Sequence, residues 1–141
     1  MTDDVPFRLL HLDHVVLRAR SAEALVRFDR DVLGCTFERE SREAGLIQLR
    51  AGACLIDVVP VEGHLGRAGG RPPEPGNRHN VDHLCLRVEP FDAAAITAHL
   101  NRHGVEPSEV RHVYGAEGMG PSIYLNDPEG NTVELKGPAS S

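Results

Sequence analysis

The chain has 141 residues, 40% of them hydrophobic and 26% charged, with a formal net charge of -6. That length suits one compact domain, or two small repeated modules sharing a core. The acidic balance argues against a nucleic-acid or anionic-membrane surface, and no apolar run approaches the roughly 20 residues of a membrane helix. Residues 1–7 lack the basic start and apolar stretch of a secretory signal. Cys35, Cys54 and Cys85 are far apart and form no C-x-x-C pair, so a disulfide framework or cysteine zinc site is not expected and a reducing cytoplasm is.

In chain order, Leu12 to Arg18 is apolar and alternating, as in a half-buried strand. Ser21 is a candidate helix cap. Ala24, Leu25, Phe28, Val32 and Leu33 then recur at helical spacing, and Gly34 ends the run. Leu46 to Leu49 and Cys54 to Val59, with a turn at Ala51-Gly52, read as a hairpin. Residues 62–80 are rich in Gly, Pro and Arg and hold His64 and His79, which reads as a mobile, solvated linker.

The pattern then repeats. Val81 to Arg87 is a second strand, and Asp92 caps a helix carrying Ala95, Ile96, His99 and Leu100 that closes at Gly104. Residues 115–121 read as a glycine-rich flexible lip. Ser122 to Leu125 and Thr132 to Leu135, joined by a turn at 127–130, form a second hairpin, and a disordered tail from Gly137 is expected. Leu12-Asp13-His14-Val15-Val16-Leu17-Arg18 corresponds to Val81-Asp82-His83-Leu84-Cys85-Leu86-Arg87, and the helix-ending glycines keep the same offset within one residue. The expected architecture is therefore α+β. One domain, 1–141, is built from two βαβββ modules at about 9–61 and 81–136, with a linker at 62–80.

Side chains alternate across a strand. His14 thus shares a face with Leu12 and Val16, and His83 with Val81 and Cys85. Glu134 sits with Thr132 and Lys136, and Asp57 with Leu55 and Val59. An imidazole and a carboxylate recur at equivalent places in both modules. Two neutral imidazoles and a carboxylate suit one divalent ion (Fe, Mn, Ni, Co or Zn) with positions left for substrate or water.

These residues carry a resemblance to the vicinal-oxygen-chelate superfamily, which includes glyoxalase I, fosfomycin- and bleomycin-resistance proteins and extradiol dioxygenases. The carrying segments are Leu12 to Leu17, the Val32-Leu33-Gly34 helix end, Asp82-His83-Leu84 and, most specifically, Ser122 to Leu135. The glyoxalase-domain-containing branch is nearest. The resemblance implies paired modules forming a cupped mixed sheet around a metal, with helices on the convex side. It implies His14, His83 and Glu134 as ligands. Asp57 matches the first-module carboxylate that glyoxalase I uses as a fourth ligand, but an aspartate stands where glutamate is usual, so ligation and substrate binding both stay open.

Tyr124 is either a cross-strand packing residue or a proton donor beside the metal. Lys136, the sole lysine, either faces solvent at a strand end or pairs with Glu134 or a substrate anion. Arg111 is a further candidate substrate contact, whereas His99 and His103 read as structural or exposed.

The implied activity is that of a metal-dependent lyase or isomerase of the lactoylglutathione-lyase type, with Glu134 or Asp57 moving a proton between adjacent carbons of a small-molecule substrate. Fe(II) extradiol cleavage, and non-catalytic sequestration of a drug or ligand, are the alternatives. Family resemblance also implies a homodimer.

Overall fold

The computed structural model describes Arg8, residues 10–68 and residues 81–140. Most of the expected linker, including His79, lies outside the described residues.

The first module runs β1 (His14–Ala19), α1 (Ala22–Asp31), β2 (Thr36–Ser41), β3 (Leu46–Ala51) and β4 (Cys54–Pro60). A short helix, α2 (His64–Arg67), then opens what the composition suggested was an unstructured linker. The second module runs β5 (His83–Arg87), α3 (Ala93–Arg102), β6 (Arg111–Gly115), β7 (Gly118–Asn126) and β8 (Thr132–Lys136). Both expected βαβββ modules are thus present. Ser21 and Asp92 cap α1 and α3 by accepting from the backbone N–H groups of Ala24 and Ala95. Gly34 and Gly104, at φ of +83° and +72°, follow the two helices in the left-handed conformation that glycine adopts most easily.

Each module forms a four-stranded mixed sheet, ordered β1-β4-β3-β2 and β5-β8-β7-β6. In each sheet the first strand runs parallel to the last, which places His14 beside Leu55 and His83 beside Thr132. The strand parity read from sequence holds. Val15, Leu17, Ile56 and Val58 pack toward the helices in the first module, as Leu84, Leu86, Val133 and Leu135 do in the second. The opposite faces carry the two histidines, Asp57, Glu134 and Lys136.

The modules share their cores. Leu25 of α1 packs with Leu49, Ile56 and Val58 of its own sheet, whereas Phe28 and Val32 join Leu100, Ile123 and Leu125 of the second module. Phe28 and Val32 continue the apolar stripe of Leu25 toward the C-terminal end of α1, and it is this end that packs on the second module. Polar contacts reinforce this seam. His99 Nε2 donates to the Val32 carbonyl at 2.8 Å, and Glu129 accepts from the N–H groups of Arg20 and Ser21, each at 2.9 Å. Asp29, also on α1, is only 2% exposed.

Two expectations fail here. Residues 115–121 are not a loose lip but the heart of the β6–β7 hairpin, in which Gly115 pairs with Gly118. The tail from Gly137 is held, not free: Gly137 N–H donates to Pro121 O at 2.9 Å and Ser140 N–H to Met119 O at 2.8 Å. The tail therefore continues the antiparallel run of β8 along β7 and gives the glycine-rich strand backbone a hydrogen-bonding partner. Among the described residues no helix is long and apolar enough to cross a membrane.

Candidate metal centre

In the second module Glu134 of β8 lies directly opposite Cys85 of β5, one step diagonal from His83. His83 Nε2 stands 3.2 Å from Glu134 Oε1, and Ser122 donates its hydroxyl hydrogen to Glu134 Oε2 at 2.6 Å. The other imidazole nitrogen, Nδ1, is 2.8 Å from Asp82 Oδ2. That hydrogen bond is the largest cause of a raised His83 pKa, opposed by burial and supported by the charge of Glu134.

The first module repeats the arrangement more loosely. His14 Nδ1 is 2.8 Å from Asp13 Oδ1, and Nε2 is 4.0 Å from Asp57 Oδ2. Gln48 Nε2 donates to both Asp57 oxygens at 3.2 Å, and Arg39 in turn donates to Gln48 Oε1 at 2.8 Å. The His14 pKa is raised, first by the Asp13 bond and then, against burial, by Asp57. Asp57 and Glu134 are both buried, at 3% and 5% exposure.

In each couple one ring nitrogen is held by the preceding aspartate and the other is turned toward a buried carboxylate. That is how a metal-binding imidazole is usually oriented: the far nitrogen fixes tautomer and ring direction, and the near nitrogen is left for the ion. Within a single chain, however, the four donors stay in two couples. Among the described residues no three His, Cys, Asp or Glu side chains converge to hold one ion.

Tyr124 stands opposite Glu134 in the β7–β8 ladder, and its ring meets His83 edge to face at 5.9 Å between centroids. Burial, followed by the charge of Glu134, raises its pKa. The Arg111 guanidinium lies 5.3 Å from the same ring centroid, so Arg111 stacks on Tyr124. Lys136 neither faces solvent nor pairs with Glu134. It is 6% exposed, and its Nζ donates to the carbonyl oxygens of Val113 at 2.6 Å and Gly120 at 3.3 Å. A cavity of about 390 Å³ opens beside it, lined by His83, Cys85, Arg87, Glu117 and Glu134.

The supporting residues Ser122, Gln48 and Arg39, and the orienting roles of Asp13 and Asp82, are absent from the sequence reading. Gln48 was within reach: it faces Asp57 as Tyr124 faces Glu134, so aligning the two hairpins would have paired them. Ser122 could be found only by knowing the β7–β8 register.

Residues 11–135 match the family model of the Glyoxalase/Bleomycin resistance protein/Dioxygenase superfamily. The chain belongs to this superfamily. Among solved structures, it resembles a virulence protein from Salmonella typhimurium, with 22% identity and a TM-score of 0.78, over 94% of this chain and 100% of that one. A lactoylglutathione lyase from Agrobacterium tumefaciens matches at 19% identity and 0.63, over 90% and 92% of the two chains. A genomically encoded fosfomycin resistance protein from Listeria monocytogenes matches at 15% identity and 0.66, over 94% and 97%. At these identities the likeness establishes a common fold spanning nearly whole chains, and it leaves open which of the superfamily's chemistries this chain performs.

Proposed function

We propose that this superfamily member is a divalent-metal-dependent lyase or isomerase of the glyoxalase type, acting on a small substrate held through two adjacent oxygens. The observation that carries the reading is the matched pair of imidazole–carboxylate couples, each with its imidazole held from behind by an aspartate. Two donors from one couple do not complete a metal site, but four do. A homodimer supplies four when His14 and Asp57 of one subunit face His83 of the partner subunit and the partner's Glu134. Leu12, Val16 and Val81 flank the histidines and are 81%, 49% and 52% exposed. Apolar side chains so placed favour burial against a second copy.

Two imidazoles and two carboxylates suit Fe, Mn, Ni, Co or Zn. When bound, the ion supplies Lewis-acid stabilisation of the negative charge that develops on the substrate oxygens. The chain's own residues divide the remaining work. Gln48 holds both oxygens of Asp57, which suits a fixed ligand. Glu134 is pinned at Oε2 by Ser122 while Oε1 faces His83, which suits a carboxylate that takes a proton from one carbon and returns it to the next. Tyr124, its phenol kept protonated by burial and by Glu134, is placed to donate a hydrogen bond to a substrate oxygen.

Metal content by plasma mass spectrometry tests the reading on the wild type, His14→Ala and His83→Ala. About one ion per chain is expected, lost in either variant. Mixing the unfolded variants and refolding them together should restore metal to a fraction of the sites, because one of the two sites in each mixed dimer would then be intact. Iron would direct assays to catechol cleavage; nickel, cobalt or zinc would direct them to isomerisation of thiol–aldehyde adducts. A wild type that stays empty after dialysis against these ions would leave ligand sequestration as the function.

A further inference from the structure

The two modules act as controls for each other. Counting from the ladder in which Gln48 faces Asp57 and Tyr124 faces Glu134, the first-module counterpart of Lys136 is Val59. Val59 is buried, and the short helix α2 follows directly on this strand, with Arg18 donating to Gly66 O at 3.1 Å. The equivalent place in the second module holds an ammonium and opens into the cavity. The fold therefore tolerates an apolar side chain at this position, and folding alone does not call for a charge there.

The lysine is also deliberately accommodated. Its stem passes over Gly115, where any Cβ would collide with the Lys136 Cδ and Cε atoms. Among the described residues its Nζ has two carbonyl acceptors, which leaves one of its three donor hydrogens without a partner there. Among the described residues Lys136 makes no ion pair, because the neighbouring carboxylates have other partners. Glu117 is bound by Arg87 at 2.9 Å, and Glu134 by His83 and Ser122. Withdrawing an ammonium from water without a counter-charge is costly unless an anion later supplies one.

We propose that Lys136 is the binding residue for a remote carboxylate of the substrate, a second subsite at the far end of the cavity from the His83–Glu134 couple. This rests on the metal reading above for the near end of the substrate only. One free donor amid several carboxylates fits a singly charged carboxylate better than a doubly charged phosphate. The register sets the span. Lys136 is one strand step of roughly 7 Å beyond Glu134, and Nζ reaches on toward Gly120, so the anion sits on the order of 10 Å from the couple. Short 2-oxo acids cannot bridge that distance, whereas a six- to eight-carbon chain ending in a carboxylate can.

The probes are 2-oxosuberate and 2-oxooctanoate, which share a 2-oxo-acid head and chain length and differ only at the far end, carboxylate against methyl. Calorimetric titration of wild-type protein of measured metal content should show 2-oxosuberate binding about 10-fold or more tightly. In Lys136→Met the two affinities should become equal. Gly115→Ala keeps the charge but pushes the lysine stem aside, and it should erode the same preference, which guards against a Lys136→Met that does not fold. Because the probes share one head, their ratio judges Lys136 whether or not metal is bound. Metal absent from the wild type sinks the metal reading alone. A wild-type ratio near one, or no binding of 2-oxosuberate, overturns the subsite.

Discussion

Ser122 donates its hydroxyl hydrogen to Glu134 Oε2 at 2.6 Å, with the serine wholly buried. The bond crosses from β7 to β8 and leaves Glu134 Oε1 as the oxygen turned toward His83. A hydroxyl-to-carboxylate bond this short is charge-assisted and sets the direction of the side chain. Ser122→Ala strands one buried carboxylate oxygen. Stability should fall by about 1–3 kcal/mol, and metal affinity by roughly 10- to 100-fold through lost orientation. Denaturant unfolding and metal titration check the two parts separately. Unchanged metal affinity in a destabilised variant would reduce Ser122 to a packing residue.

Asp82 governs how protons compete for His83. The ring must be neutral to bind a metal, and the Asp82 bond raises its pKa, so metal should be released as pH falls through a midpoint displaced upward by the aspartate. Asp82→Asn weakens that bond. The His83 ring should then titrate at a lower pH, while metal affinity at about pH 8 drops roughly 10-fold because the ring is less well held. NMR titration of the metal-free ring and metal affinity at about pH 8 test the two effects separately; an unmoved ring titration would mean that Asp82 does not hold the ring in solution.

Asp29 makes the seam between the modules sensitive to pH. Its Oδ2 is buried with no hydrogen-bond partner among the described residues, and burial, with the charge of Asp127 added, pushes its carboxyl up to about 7 from an ordinary 3.8. Between those values the folded chain keeps a proton that the unfolded chain has released. Stability is therefore highest at the acid end of that window, falls as pH rises through it, and levels off above about 7. Asp127, also raised by burial, contributes with the same sign. Asp29→Asn should remove most of the slope and exceed the wild type by about 2–3 kcal/mol near pH 8. Urea unfolding at about pH 5 and about pH 8 tests this; a wild type equally stable at both would show that Asp29 is not held in a dry environment.

Much of the candidate site's arrangement was legible before folding. Strand periodicity assigned His14, His83, Asp57 and Glu134 to matching faces, and the repeat made each histidine evidence for the other. Side-chain direction in a strand is a local property, set by the two-residue pleat, and helix caps such as Ser21 and Asp92 are local for the same reason. The residues missed, Ser122 beside Glu134 and Gln48 beside Asp57, depend on cross-strand register, which no single segment encodes.

By itself, then, the chain's order of residues determined the two modules, their helix ends, and which side chains face away from the core. Tertiary structure alone decided that one helix feeds both cores, that the glycine-rich segment becomes a paired hairpin, and that the tail is hydrogen-bonded along β7. It also decided that the four donors remain in two couples within a subunit, and that Lys136 lies buried over Gly115 beside a cavity. The physical reason is distance along the chain. Pleat and helix turn are fixed by neighbours a few residues apart, whereas burial, charge isolation and donor convergence depend on segments that meet only after the sheets have packed.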